Sequence, residues 1–97
     1  MSLEDTDNRA QFSLDDVDSV LNEIREKVIY RLKQKGWGIS VSRHEIYGLL
    51  AEEFKELLDA LQGHGNEARA EFHDELLDIG VGVVHALCSL KSGKMDW

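Results

Sequence analysis

Leu50-Ala-Glu-Glu-Phe-Lys-Glu-Leu-Leu-Asp-Ala-Leu61 and Asp74-Glu-Leu-Leu-Asp-Ile-Gly-Val-Gly-Val-Val-His-Ala-Leu87 are the two segments whose reading decides the fold of this 97-residue chain. Each is an apolar helical run carrying two acids three residues apart, Glu53 with Glu56 and Glu75 with Asp78. The link between them contains Gly63, His64, Gly65 and Asn66. Within 43 residues, Gly48 to Leu90, the chain therefore reads as a helical hairpin with acids at matching places on both arms.

Spacing alone is weak evidence. With 19 acids in 97 residues, pairs three apart arise by chance about four times. Position on the helix carries more. At about 100° per residue, Ile46, Leu50, Phe54, Leu57 and Leu61 share one arc, and Glu45, Glu52, Glu53, Glu56 and Asp59 fill the next. On the following helix Phe72, Leu76, Ile79, Val83, Ala86 and Leu90 form the expected core arc, with Glu71, Glu75, Asp78 and Gly82 along its edge. Packing the two stripes antiparallel brings four carboxylates towards a shared space. Such a group repels itself and resists desolvation unless cations neutralise it. Magnesium suits it, as a hard ion that takes oxygen ligands and keeps several waters. The plainer alternative is that all four acids face solvent on ordinary amphipathic helices.

Outward from this core, Ser13 caps an expected first helix of about 22 residues. Asp15 and Asp16 favour its positive end, and Val17, Val20, Leu21, Ile24, Val28 and Leu32 form its apolar stripe. Arg31, Lys33 and Lys35 gather near its end, and Gly36 stops it. Trp37 to Val41 read as a turn. Ser42 with Glu45 matches a capping box, so the second helix starts near Arg43 and runs to Gly63. Asn66 is the expected cap of the third, which continues to about Lys91. The division is a loose lead-in over 1–12, one helical domain over 13–92 and a short tail over 93–97.

No proline interrupts these segments, and 42% of residues are hydrophobic. The formal charge of −8 disfavours a surface built to grip a nucleic-acid polymer or an anionic membrane. One cysteine, Cys88, no signal-peptide pattern and no long apolar run fit a cytoplasmic setting. Leu77, Val81, Val84 and Cys88 add a second apolar face to the third helix, which three helices do not obviously cover. The expected fold is thus all-α, an antiparallel helical bundle completed by association into a homodimer or homotetramer.

These residues resemble the MazG-type all-α nucleoside triphosphate pyrophosphohydrolases, whose signature is ExxE, a spacer, then ExxD on the next helix. Here 18 residues separate Glu56 from Glu75, and the resemblance covers about half the chain. It implies hydrolysis of a ribo- or deoxynucleoside triphosphate to the monophosphate and pyrophosphate, with Mg2+ as cofactor. By that resemblance Glu53, Glu56, Glu75 and Asp78 are metal ligands, and Glu52 or Glu56 orients the attacking water. One departure stands out: many members have a further helix bearing phosphate contacts, whereas this chain has only Lys91 to Trp97 there. Phosphate contacts would then come from Lys55, from basic residues of the first helix, or from a neighbouring subunit.

Four residues are candidates for substrate binding. Trp37 offers a flat face for a nucleobase, or else plugs the end of the first helix. Lys55 reaches a phosphate, or else pairs with Glu52 or Asp59. Gly82 leaves room for substrate beside Asp78, or else permits close helix approach. His85 continues the same edge towards a base or ribose, or else is a satisfied buried polar group. A competing function is a non-enzymatic helical assembly module with a solvated acidic face. A di-iron carboxylate bundle needs Glu-x-x-His pairs, and the residues three before the four histidines are Val41, Leu61, Ala70 and Gly82.

Overall fold

The computed structural model describes residues 9–97; most of the expected lead-in, residues 1–8, lies outside the described residues. Three helices follow in order: α1 (Leu14–Lys35), α2 (Arg43–Leu61) and α3 (Gly65–Ser92). The all-α expectation holds. Among the described residues the only extended pairing is an isolated parallel bridge between Ser42 and Asp96.

The helix starts follow local chemistry. Ser13 Oγ accepts from the Asp16 amide while the Asp16 carboxylate accepts from the Ser13 amide at 2.8 Å, a reciprocal pair that satisfies two amides left free at the helix start. Ser42 caps α2 through the Glu45 amide. The expected box is incomplete there, because the Glu45 carboxylate accepts from the Val41 amide instead. The Val41 carbonyl meanwhile accepts from Asp96 N–H at 2.9 Å, so both polar groups of Val41 are satisfied and the tail is tied to the start of α2. Arg43 lies 4.9 Å over the Trp97 ring, a second tie between the same segments.

The link between α2 and α3 is tighter than expected. Helix α2 ends at Leu61, two residues before Gly63, and α3 begins at Gly65 with His64 at the cap position and no side-chain cap bond. Asn66 therefore sits in the first turn and caps nothing. Gly65 has φ +84°, and a Cβ on Gly63 would lie 2.9 Å from the Ala68 Cβ, so glycine lets the chain reverse this sharply.

Helix α3 is central. Both α1 and α2 pack on it and not on each other. The α2–α3 pair is antiparallel: Leu50 lies over Gly82, Glu53 meets Glu75 and Asp78, and Ala60 reaches the Glu71 level. Ile24 of α1 lies over Gly80. The two interior glycines, each costing about 1 kcal/mol against alanine, are thus where the flanking helices come closest.

The rotation of α3 departs from the sequence expectation. Its inward surface keeps part of the expected core arc, with Ala86 buried and Phe72 and Ile79 half-buried, and extends over the polar edge, where Val81 and Ser89 are buried and Glu75, Asp78, Gly82 and His85 half-buried. Leu76, Val83 and Leu90 of the expected core arc are exposed, as are Phe54 and Leu61 on α2. Val81, assigned to a subunit interface, is buried within the chain. The physical reason is that α3 receives two helices at its glycines, which leaves Leu76, Val83 and Leu90 of its apolar arc facing outward.

Candidate functional site

Because α1 and α2 do not touch, the space between them over α3 is a cavity of about 530 Å3. Its floor is Val81, Gly82, His85 and Ala86 of α3. Val28, Arg31, Leu32 and Lys35 form the α1 wall, and Glu45, Ile46, Leu49, Leu50, Glu52 and Glu53 the α2 wall. The connector Gly36–Ser40 closes one end, and Asp78 stands at the acidic end.

Glu53, Glu75 and Asp78 each offer an oxygen, and these atoms all lie within 4.8 Å of one another. That approaches the ~4.2 Å between opposite ligands of an octahedral magnesium ion. Glu53 Oε2 and Glu75 Oε2 are buried and have no hydrogen-bond partner. Buried carboxylate oxygens without partners in so close a group are costly unless a proton or a cation neutralises them.

The electrostatics agree. Desolvation, followed by the neighbouring charges of Asp78 and Glu56, raises the Glu53 carboxyl above its ordinary range. Desolvation and the adjacent Glu56, then Asp78 and Glu53, push Glu75 up to about 7. Both carboxyls keep their protons to higher pH than an isolated glutamate.

Asp78 is held differently. Its Oδ1 accepts from Lys27 Nζ at 2.8 Å and from Arg31 at 2.6 Å, so two α1 cations neutralise it. Glu56, the fourth carboxylate of the expected set, stands outside the three-acid group. It lies beside Glu75 and shares with Asp59, Glu71 and Asp74 a smaller hollow of about 310 Å3.

The remaining candidates divide. Glu52 lines the cavity from an exposed position. Gly82 lines it too, although a Cβ there would meet Leu50 Cδ2 at 3.1 Å, so close helix approach occupies part of the room it leaves. His85 lines it and is pinned: the Gly38 carbonyl accepts from Nε2 at 2.9 Å, which puts the proton on Nε2 and leaves Nδ1 to accept from Ser40 Oγ at 3.4 Å. Its ring is a satisfied polar group that also forms part of the wall. Trp37 is exposed between two glycines of the lining and is not itself part of it; Lys55 is exposed and away from the cavity.

Reading by residue types overlooked Lys27 as a partner of Asp78, and Ser40 and Ser89 as the clasp of the connector. Ser89 Oγ accepts from the Ser40 amide at 3.0 Å and donates to the His85 carbonyl at 2.9 Å. The signal for Lys27 was present, since Lys27, Arg31 and Lys35 recur every four residues along one face of α1. Nothing local distinguishes Ser40 or Ser89 from other serines.

No protein-family model, no curated protein and no solved structure matches this chain significantly.

Proposed function

We propose that this chain is a magnesium-dependent nucleoside triphosphate pyrophosphohydrolase of the MazG type, cleaving a ribo- or deoxynucleoside triphosphate to the monophosphate and pyrophosphate. The observation that carries the reading is that Glu53 and Glu75, each with a buried, unpartnered oxygen, group with Asp78, and that Glu53 and Asp78 line an open cavity. Glu53, Glu75 and Asp78 would hold the ion, with Glu56 available beside Glu75. A divalent ion bound there screens triphosphate charge and acidifies a bound water.

The chain's own residues supply the rest. Glu52, on the cavity wall, would orient the attacking water and accept its proton. The pinned His85 ring and Gly82 give the floor a fixed shape, and Leu49, Leu50 and Ile46 offer apolar surface to a base. Trp37 can close over a base from the connector.

Self-association belongs to the same proposal. Leu58, Leu61 and Phe54 on α2, with Leu76, Val83, Leu87 and Leu90 on α3, remain exposed, whereas Ala60, Val81 and Ala86 are the only buried hydrophobic residues among those described. A homodimer or homotetramer would cover that surface. No helix among the described residues is long and apolar enough to cross a membrane.

The test is release of pyrophosphate from a panel of ribo- and deoxynucleoside triphosphates with Mg2+. Turnover abolished in Glu53→Gln and Glu75→Gln supports the assignment. Failure on every substrate, with equal metal binding by wild type and both variants, refutes it. One observation favours the competing assembly module: Asp78 is already neutralised by Lys27 and Arg31, as in a structural ion cluster. That reading predicts that Asp78→Ala leaves metal binding unchanged.

A further inference from the structure

Lys27, Arg31 and Lys35 stand on successive turns of one face of α1; Arg31 and Lys35 line the cavity opposite the acids of α2, and Lys27 reaches Asp78 at its acidic end. Lys27 and Arg31 share a single oxygen, Asp78 Oδ1, while Lys35 lines the cavity and among the described residues pairs with no acid. The side chains of Lys27 and Arg31 are 29% and 37% exposed, so both can leave Asp78 without unpacking α1.

Charge decides how such an arrangement behaves. Two monovalent side-chain cations on Asp78 match the charge of one divalent ion, so the ion can replace them at no change in local charge. Arg31 and Lys35 then face the cavity, where the phosphates of an anionic ligand bound between α1 and α2 can pair with them in competition with Glu45 and Glu52 of the opposite wall. A guanidinium with a planar fork is well suited to phosphate oxygens.

We propose that the α1 ladder Lys27, Arg31 and Lys35 reads the phosphates of a ligand in the cavity, Arg31 and Lys35 from its wall and Lys27 from beside Asp78 at its acidic end. Lys27 and Arg31 act as place-holders that occupy Asp78 until a divalent ion displaces them onto the phosphate chain of the ligand. This rests on the metal-dependent nucleotide reading above and adds to it the source of the phosphate contacts, which the sequence left open among α1, Lys55 and a neighbouring subunit. It also makes the same two side chains competitors of the metal and partners of the substrate.

The two roles predict opposite effects of one substitution. Binding of Mn2+ alone, followed by its electron paramagnetic resonance signal, should tighten about two- to fivefold in Arg31→Met, the worth of a partly exposed ion pair. Binding of inorganic tripolyphosphate to the Mn2+-loaded protein, followed by calorimetry, should weaken about tenfold or more in the same variant, the worth of a hydrogen bond to a charged group. Arg31→Lys should fall between wild type and Arg31→Met in both. Far-UV circular dichroism checks folding, and Lys27→Met carries the same comparison should Arg31→Met lose its helices.

A variant that weakens Mn2+ binding, or leaves tripolyphosphate binding unchanged, overturns the proposal. If wild type binds Mn2+ through Glu53, as judged by loss in Glu53→Gln, yet Arg31→Met and Lys27→Met alter neither measurement, the ladder fails and the metal site stands. If wild type binds no Mn2+, the metal site fails and takes the ladder with it.

Discussion

Glu75 shows most clearly what the fold asks of one side chain. Its carboxyl is pushed up to about 7 by desolvation and by Glu56, Asp78 and Glu53, whereas an ordinary glutamate titrates near 4.5. Between those values the unfolded chain has released a proton that the folded chain still holds. The contribution is complete below the lower value and is lost as pH rises through the upper one. In metal-free protein, thermal denaturation from about pH 5 to about pH 8 should therefore show Glu75→Gln gaining on wild type as pH rises. A difference independent of pH would contradict the shift. Saturating Mg2+ should stabilise wild type near pH 7 and leave Glu75→Gln little changed, because the ion replaces the proton the carboxyl would otherwise keep. Ser89 belongs to the same scale: Ser89→Ala leaves the buried Ser40 amide without its acceptor. A loss of about 1–3 kcal/mol in urea unfolding is expected.

At the scale of the element, caps and glycines set where helices begin and reverse. Ser13→Ala removes the Oγ that accepts from Asp16 N–H, and a loss of about 1 kcal/mol is expected by urea denaturation. Gly63→Ala places a methyl 2.9 Å from the Ala68 Cβ, neither of which can rotate away. The α2–α3 reversal must open, at a cost of about 1–3 kcal/mol. Helix ends were readable from sequence where a short side chain caps its own turn, as at Ser13 and Ser42. The start of α3 was not, because Gly65 turns the chain before Asn66 can act as a cap.

For the whole molecule, the governing fact is that α3 is shared by two helices that leave a cavity between them. The surface turned outward as a result is apolar, and its coverage by a second copy has a direct test. Leu58→Glu with Leu87→Glu should convert the assembly to monomer in light scattering coupled to gel filtration. If wild type is itself a monomer at high concentration, that part of the proposal falls.

Periodicity and capping chemistry, both local properties, were enough to determine three helices, their approximate limits and the pairing of acids on α2 and α3. That Glu53 and Glu75 border their apolar stripes was readable for the same reason, since side chains three and four apart must share a face. Only the tertiary structure decided which face of α3 turns inward, that Glu56 lies beside Glu75 but outside the Glu53, Glu75 and Asp78 group, and that Lys27 and Arg31 close on Asp78. A helix with apolar residues on nearly every side has no rotation preferred by its own sequence. The rotation comes from where Ile24 and Leu50 seat on Gly80 and Gly82, contacts between residues more than 30 positions apart.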